Sequence, residues 1–257
     1  MMAKVSKKVW KRYSEGLDKV NAKAKELIEQ YINTHDITTD DGRAELIRYA
    51  HGIATKYGEA AAEYACQMYD AVTALEGETL PPAEPAETAT YSETAKAVNG
   101  TLKYVLAAEM VGTAVGRLVK MAGQDTTLKN AIRDKAYFAW IPEGDTCAFC
   151  LLIAAEGWKR ATAAALAGGH ADHIHGNCNC AYAIRHEAST EYAAYDPGKY
   201  QAIMDDAEGS TEEEKLNSIR RANYAEHKDE INEQKRMTYR ERAEILNSSA
   251  ATETDVD

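Results

Sequence analysis

Trp10, Tyr13, Leu17, Val20, Ala24, Leu27 and Tyr31 recur at alternating intervals of three and four through an otherwise polar stretch. A seam with that period predicts a long first helix that packs lengthwise on another helix. At about three heptads it permits self-association without demanding it, and a neighbouring helix of the same chain is the expected partner. Asn33–Gly42 breaks the pattern with turn and cap residues, where Asp40 or Asp41 is placed to cap the next helix. Leu46, Ile47, Ala50, Ile53, Ala54 and Tyr57 restart a helical period, and Ala61, Tyr64, Ala65, Met68, Tyr69 and Val72 continue it. Gly58 stands between the two sets, so residues 43–75 are expected as one or two helices divided there. Cys66 falls inside the second set and is expected as a buried, inert thiol.

Residues 76–93 hold three of the five prolines and, beyond Leu80, no long aliphatic side chain. Proline removes a backbone donor and favours extended chain, so this stretch reads as a linker or surface strap. A second helical region extends from there to about residue 122, with an apolar face of Val98, Leu102, Val105, Leu106, Met110, Val115 and Leu118. Its Gly112 and Gly116 would let a neighbouring helix approach closely. Residues 125–140 are expected as a further helix ending before Pro142. Residues 211–246 have helix-forming composition, dense charge and few apolar positions, and Thr211 with Glu214 fits a capping box.

The expected fold is therefore mainly α: a helical body, a small irregular Cys/His-rich module and a long charged C-terminal helix. Along the chain this means an N-terminal helical region over 1–75, a linker or strap over 76–93 and central helices over 94–140. The Cys/His module occupies 141–186, a polar turn region and the charged helix 187–247, and a disordered tail 248–257. At 257 residues the chain forms one or two domains, and its 45% hydrophobic content excludes a generically disordered protein. The longest apolar stretch, near Val105–Val119, is short and carries Glu109 and Arg117, so no membrane span is expected. The first residues lack the apolar run of a secretory signal, which makes the cytosol the expected site of synthesis.

A net charge of -11 argues against a protein that simply coats nucleic acid. The charge is uneven. Residues 1–25 hold eight lysines and arginines against two acids, and residues 205–257 hold eight against fifteen. A basic head and an acidic tail suit different partners, or simply mark solvated faces.

The sharpest chemical signal is GDTCAFC followed by GGHADHIHGNCNC. Cys147 and Cys150 form a CxxC pair; His175, Cys178 and Cys180 come after 24 further residues. Soft thiolates with imidazole are a ligand set that zinc prefers, and two distant pairs complete a tetrahedron. Five candidates compete for four places, with His170, Asp172 and His173 nearby. Disulfides and free thiols in a small core remain the alternatives. A closed Cys-rich site points to structure, because catalytic zinc keeps an open position. Asp172-His173 has the Asp-His start of HNH nucleases, but the second downstream CxxC is missing. The zinc-deaminase order is absent, as are a P-loop and GxGxxG. No enzyme is expected.

In its context, IPEGDTCAFCLLIAAEGW followed by HADHIHGNCNCAYAI resembles the signature of tailed-bacteriophage minor capsid proteins of the Mu F-like head-morphogenesis group. KYGEAAAEYACQMYDAV, PPAEPAE and NYAEHKDEINEQKRMTYR agree with it, so the resemblance runs over roughly residues 45–245. Only the Cys/His motif within it is specific. Asn179 stands where the commonest form has Arg. The resemblance implies a virion component of low copy number inside the head or at the portal vertex. It would assist head assembly or DNA delivery, with the portal or major capsid protein as partner. Packaged DNA would be a further partner through the basic first helix, and a homo-oligomer is compatible with the seam. Cys147, Cys150, His175, Cys178 and Cys180 carry over as the family's Cys/His positions, with structural zinc as the expected cofactor. The rival expectation is a zinc-dependent hydrolase, HNH-nuclease-like or a capsid maturation protease, acting during head assembly.

Overall fold

In the computed structural model, which describes residues 3–102, 107–144, 146–166, 178 and 180–252, the first seam forms α1 (Lys7–Thr34). Ser6 caps it, accepting from the Val9 N–H. Trp10, Tyr13 and Ala24 of the seam are buried, and Leu17, Val20, Leu27 and Tyr31 pack against the core. Its partners belong to the same chain: α2 (Asp40–Glu76) and α4 (Ala107–Arg133). Thr39, rather than Asp40 or Asp41, caps α2. The two aspartates instead occupy the first turn, where their charge complements the helix dipole. The helix stops at Gly77, whose φ of 75° closes a Schellman turn through Gly77 N–H to Ala74 and Glu78 N–H to Thr73.

Gly58 does not divide α2, which runs unbroken through it. A glycine inside a helix costs only about 1 kcal/mol against alanine. Here it marks a close approach instead: a Cβ would meet Thr88 Cγ2 at 3.0 Å and Ala122 Cβ at 3.4 Å. Gly112 and Gly116 act the same way against α1. A Cβ on Gly116 would lie 2.5 Å from Asn21 Oδ1, and one on Gly112 3.2 Å from the Lys25 carbonyl. Leu46, Ala50, Ile53 and Ala54 of α2, Val111, Val115 and Val119 of α4 and Ala24 and Ile28 of α1 build one core cluster. Val98 of α3 (Tyr91–Thr101) joins it, behind a capping box made by Thr90 and Glu93.

The proline stretch is a strap bonded to α2 and α4. Arg133 donates to the carbonyls of Pro81 and Pro82, and Asn130 both accepts from the Glu84 N–H and donates to its carbonyl. Ala83 and Ala86 N–H groups donate to Asp70 and Thr126.

The helix expected over 125–140 is corrected. α4 ends at Arg133 in a second Schellman turn, through Lys135 N–H to Ile132 and Ala136 N–H to Ala131. Lys135, at φ 53°, occupies the left-handed position usually given to glycine. The chain then enters β2 (Tyr137–Ile141), an aromatic and β-branched run with Phe138 to Ile141 all buried. It pairs antiparallel with β3 (Lys159–Arg160) and with β4 (Ala181–Arg185), in the order β3-β2-β4. The Cys/His module is therefore built on a small sheet rather than being irregular throughout. α5 (Ala148–Ala155) and α6 (Ala163–Leu166) lie within it along the chain. β1 (Lys4–Val5) pairs in parallel with β5 (Glu191–Tyr192), and α7 (Pro197–Asp206) comes next.

The described fold is mainly α, and the chain divides into two compact units, Met1–Asp206 and Ala207–Asp257. The second holds α8 (Glu212–Thr252), whose capping box joins Thr211 and Glu214 as expected. The disordered tail expected from residue 248 is corrected in part. Residues 248–252 complete α8, since extending an existing helix needs only one further bond per residue fixed. Residues 253–257 lie outside the described residues. No described helix is long and apolar enough to cross a membrane.

Candidate metal centre

Cys147 is the N-cap of α5, and its Sγ accepts the Cys150 N–H at 3.4 Å. The CxxC spacing puts Cys150 one turn further on the same side, directed into the protein. Cys178 and Cys180 stand immediately before β4, where the pairing of Ala181 with Ile141 anchors them beside the end of β2. The sheet register and the start of α5 thus bring together thiols separated by 28 residues. Cys150, Cys178 and Cys180 are all buried, and their sulfurs lie within 4.8 Å of one another. The Cys150 and Cys178 sulfurs are 3.6 Å apart. Metal–sulfur bonds of about 2.3 Å in a tetrahedron give an edge of about 3.8 Å. The spacing and the all-thiol donor set fit a soft divalent metal.

Cys147 is half-buried and its side chain meets that of Cys150, which makes it a flanking donor. His175 lies outside the described residues, as do His170, Asp172 and His173. None of the five cysteines is in a disulfide in this structure. Cys66 is buried in α2 and stands apart from the triad as the sequence led us to expect.

The thiols shift one another's pKa. Contacts with Cys147, Cys178 and Cys180, together with burial, push Cys150 far up. At Cys180 the contact with Cys150 pulls downward, but Cys178 and burial outweigh it. Packed without a cation, adjacent thiolates repel; a divalent ion reverses that, since it holds the thiolate form. Two backbone N–H groups already point at sulfur, that of Cys150 at Cys147 and that of Glu143 at Cys180.

Residues that the motif analysis passed over complete the surroundings. From α4, Lys120 donates to the Cys178 carbonyl and Gln124 Nε2 donates to the Cys180 carbonyl at 3.1 Å. Ser14, Asp18, Lys120, Gln124 and Cys180 line a small cleft between α1, α4 and the cysteine loop. Burial lowers Lys120, against the opposing pull of Cys178 and Asp18. Burial raises Asp18, against the opposing pull of Lys120. Burial also raises Glu143, although Trp10 Nε1 and Ser14 donate to it. A signal was present: Gly116, Lys120, Gln124 and Thr127 share one helical face, so a charge lies within a stripe of small and polar residues.

The arrangement closes its donors inside the protein. Bound there, a metal supplies cross-linking between α5 and the start of β4. Each of the three sulfurs belongs to a residue that is at most 5% exposed.

A family model described as VG15 protein matches residues 4–207 of the chain. No curated protein and no solved structure matches it.

Proposed function

Since the chain belongs to the VG15 protein family, a family of viral gene proteins matched over residues 4–207, we propose that it is a structural minor head protein of a tailed phage. On this reading it is made in the host cytoplasm and resides in the virion, at the portal vertex or the inner capsid. There it assists head assembly or DNA delivery, with the portal or major capsid protein as partner. The observation that carries the proposal is the buried all-thiol cluster set into a helical body. Completed by a fourth protein ligand, such a site serves architecture rather than turnover. Zinc is the proposed metal, held by Cys150, Cys178 and Cys180 with Cys147 or His175 as the fourth ligand.

Charge supports a division of partners. Lys4, Lys7, Lys8, Lys11, Arg12, Lys19 and Lys23 are exposed along β1 and α1. They offer salt-dependent attraction to packaged DNA or to an acidic protein surface. α8 itself is nearly neutral, nine acids against eight lysines and arginines, and the acidic excess of residues 205–257 flanks it; that excess is repelled by DNA and suits a protein partner.

Mass spectrometry of purified virions of the encoding phage tests the proposal. The expected result is the intact chain at a few copies per particle. Its presence in lysates but absence from particles would overturn it. His173→Ala particles should assemble and infect normally, whereas a nuclease built on Asp172-His173 would lose its function.

A further inference from the structure

We propose that Lys120 and Gln124 of α4 are the positioning residues of the metal centre. In this role they clamp the Cys178–Cys180 loop, and Lys120 also supplies the cation that offsets the centre's negative charge. The inference rests on the metal reading above and assigns it a second layer.

The geometry begins with spacing. Two helical residues four apart are separated by about 6 Å along the axis. Lys120 and Gln124, at that separation, meet the carbonyls of Cys178 and Cys180, one donor to each. The two carbonyls belong to two of the three clustered thiols. Fixing them fixes the backbone from which both sulfurs project. The third sulfur is fixed independently, by the first turn of α5.

Charge gives the second argument. Lys120 is only 9% exposed, and a buried ammonium is costly unless it is compensated. Asp18 lies on one side of it and the cysteine loop on the other. A divalent ion with three thiolates carries a net charge of about -1, and with four about -2. A lysine beside that centre, buried where water screens little, favours the metal-bound form electrostatically. Gln124 has its own buried remainder: its Oε1 accepts from no partner among the described residues, while its Nε2 is committed to Cys180. The amide is oriented by the loop carbonyl rather than by a need to satisfy both of its ends. Gly116, one turn earlier on the same face, lets α1 come close and seal this side of the cleft.

The test compares the full-length wild type with Lys120→Met and Gln124→Met, each close in size to the residue it replaces. Zinc affinity is measured by competition with a chromophoric chelator. Cobalt(II) substitution then reports the thiolate-to-metal charge-transfer band and the tetrahedral d–d bands. Circular dichroism checks that each variant is folded.

Loss of an outer partner of a metal ligand weakens binding by about 10–100-fold. Lys120→Met is expected to fall in that range and Gln124→Met near its lower end, both with altered cobalt d–d bands. A pair that merely satisfied buried carbonyls would lower the stability of the metal-free protein. It would leave the affinity and the cobalt spectrum of the folded variants unchanged, and that result overturns the inference alone. Should Lys120→Met fail to fold, Gln124→Met carries the test unaided. Wild-type protein that takes up neither zinc nor cobalt would overturn the metal reading itself, and the inference with it.

Discussion

Tyrosine outnumbers phenylalanine by 15 to 2 in this chain, and among the described residues five tyrosines are buried, where the hydroxyl can bond backbone. Tyr192 donates to the Ile184 carbonyl and Tyr195 to the Ala154 carbonyl, each at 2.6 Å, so both anchor backbone as well as filling space. Tyr69 does the same between α2 and the end of α4, donating to the Asn130 carbonyl and to Asp134. Burial alone would raise the Asp134 carboxyl, but Arg133 and Tyr69 outweigh it and hold the group below its ordinary value. A depressed carboxylate contributes stability that is present above its unfolded pKa, near 3.8, and lost as pH falls through the lower folded value. Asp134→Asn should therefore cost about 1–3 kcal/mol at pH 7. The difference from wild type should shrink steadily below about pH 4. Urea unfolding at about pH 7 and about pH 3 measures both, and an equal penalty at the two would contradict the assignment.

At the scale of elements, the strap is held by polar side chains rather than by apolar packing alone. Asn130 is the central one, since its amide satisfies both the N–H and the C=O of Glu84. Asn130→Leu leaves those groups unpaired at the surface of α4 and should cost about 1–3 kcal/mol. It should also raise amide exchange across residues 80–88 while leaving α1 protected. Uniform exchange throughout the chain would instead indicate global unfolding. α1, α2 and the body of α4 were legible from periodicity, because burying one face imposes a repeat of about 3.6 residues, whereas α5, α6 and α7 lie in stretches expected as an irregular module and a polar turn region. The strand β2 was not legible either. It is buried almost completely, so no alternation marks it, and its boundary is a Schellman turn carrying Lys135 where the usual signal is glycine.

For the whole molecule, the family match ends at residue 207 and the first compact unit ends at Asp206. From that coincidence residues 1–206, which carry the thiol cluster, are expected to fold as a unit. A chain truncated after Asp206 should keep its cooperative melt and bind metal with the wild-type stoichiometry. Chelation should lower the melting temperature of both forms by several degrees and expose the clustered thiols to a thiol reagent. A melt that chelator leaves unmoved would detach the cluster from stability. Cys147, Cys150, Cys178 and Cys180 were readable as candidate ligands, because CxxC and CxC spacings are local. Lys120 and Gln124 were visible only as polar positions on one face of α4, and Asp18 and Glu143 carried no signal, because their relation to the cysteines arises only when α1, α4 and β4 meet.

By itself the sequence determined the helical class, the seam of α1, the proline-rich extended segment and the identity of the thiols. Each of these comes from short-range rules: side-chain periodicity, backbone restriction by proline, and ligand chemistry at fixed spacing. Only the tertiary structure decided that the segment is a strap, that residues 137–141 are a strand, and which thiols converge. These depend on partners distant along the chain, and the energy of a buried hydrogen bond or a shared ligand exists only once both partners occupy the same place.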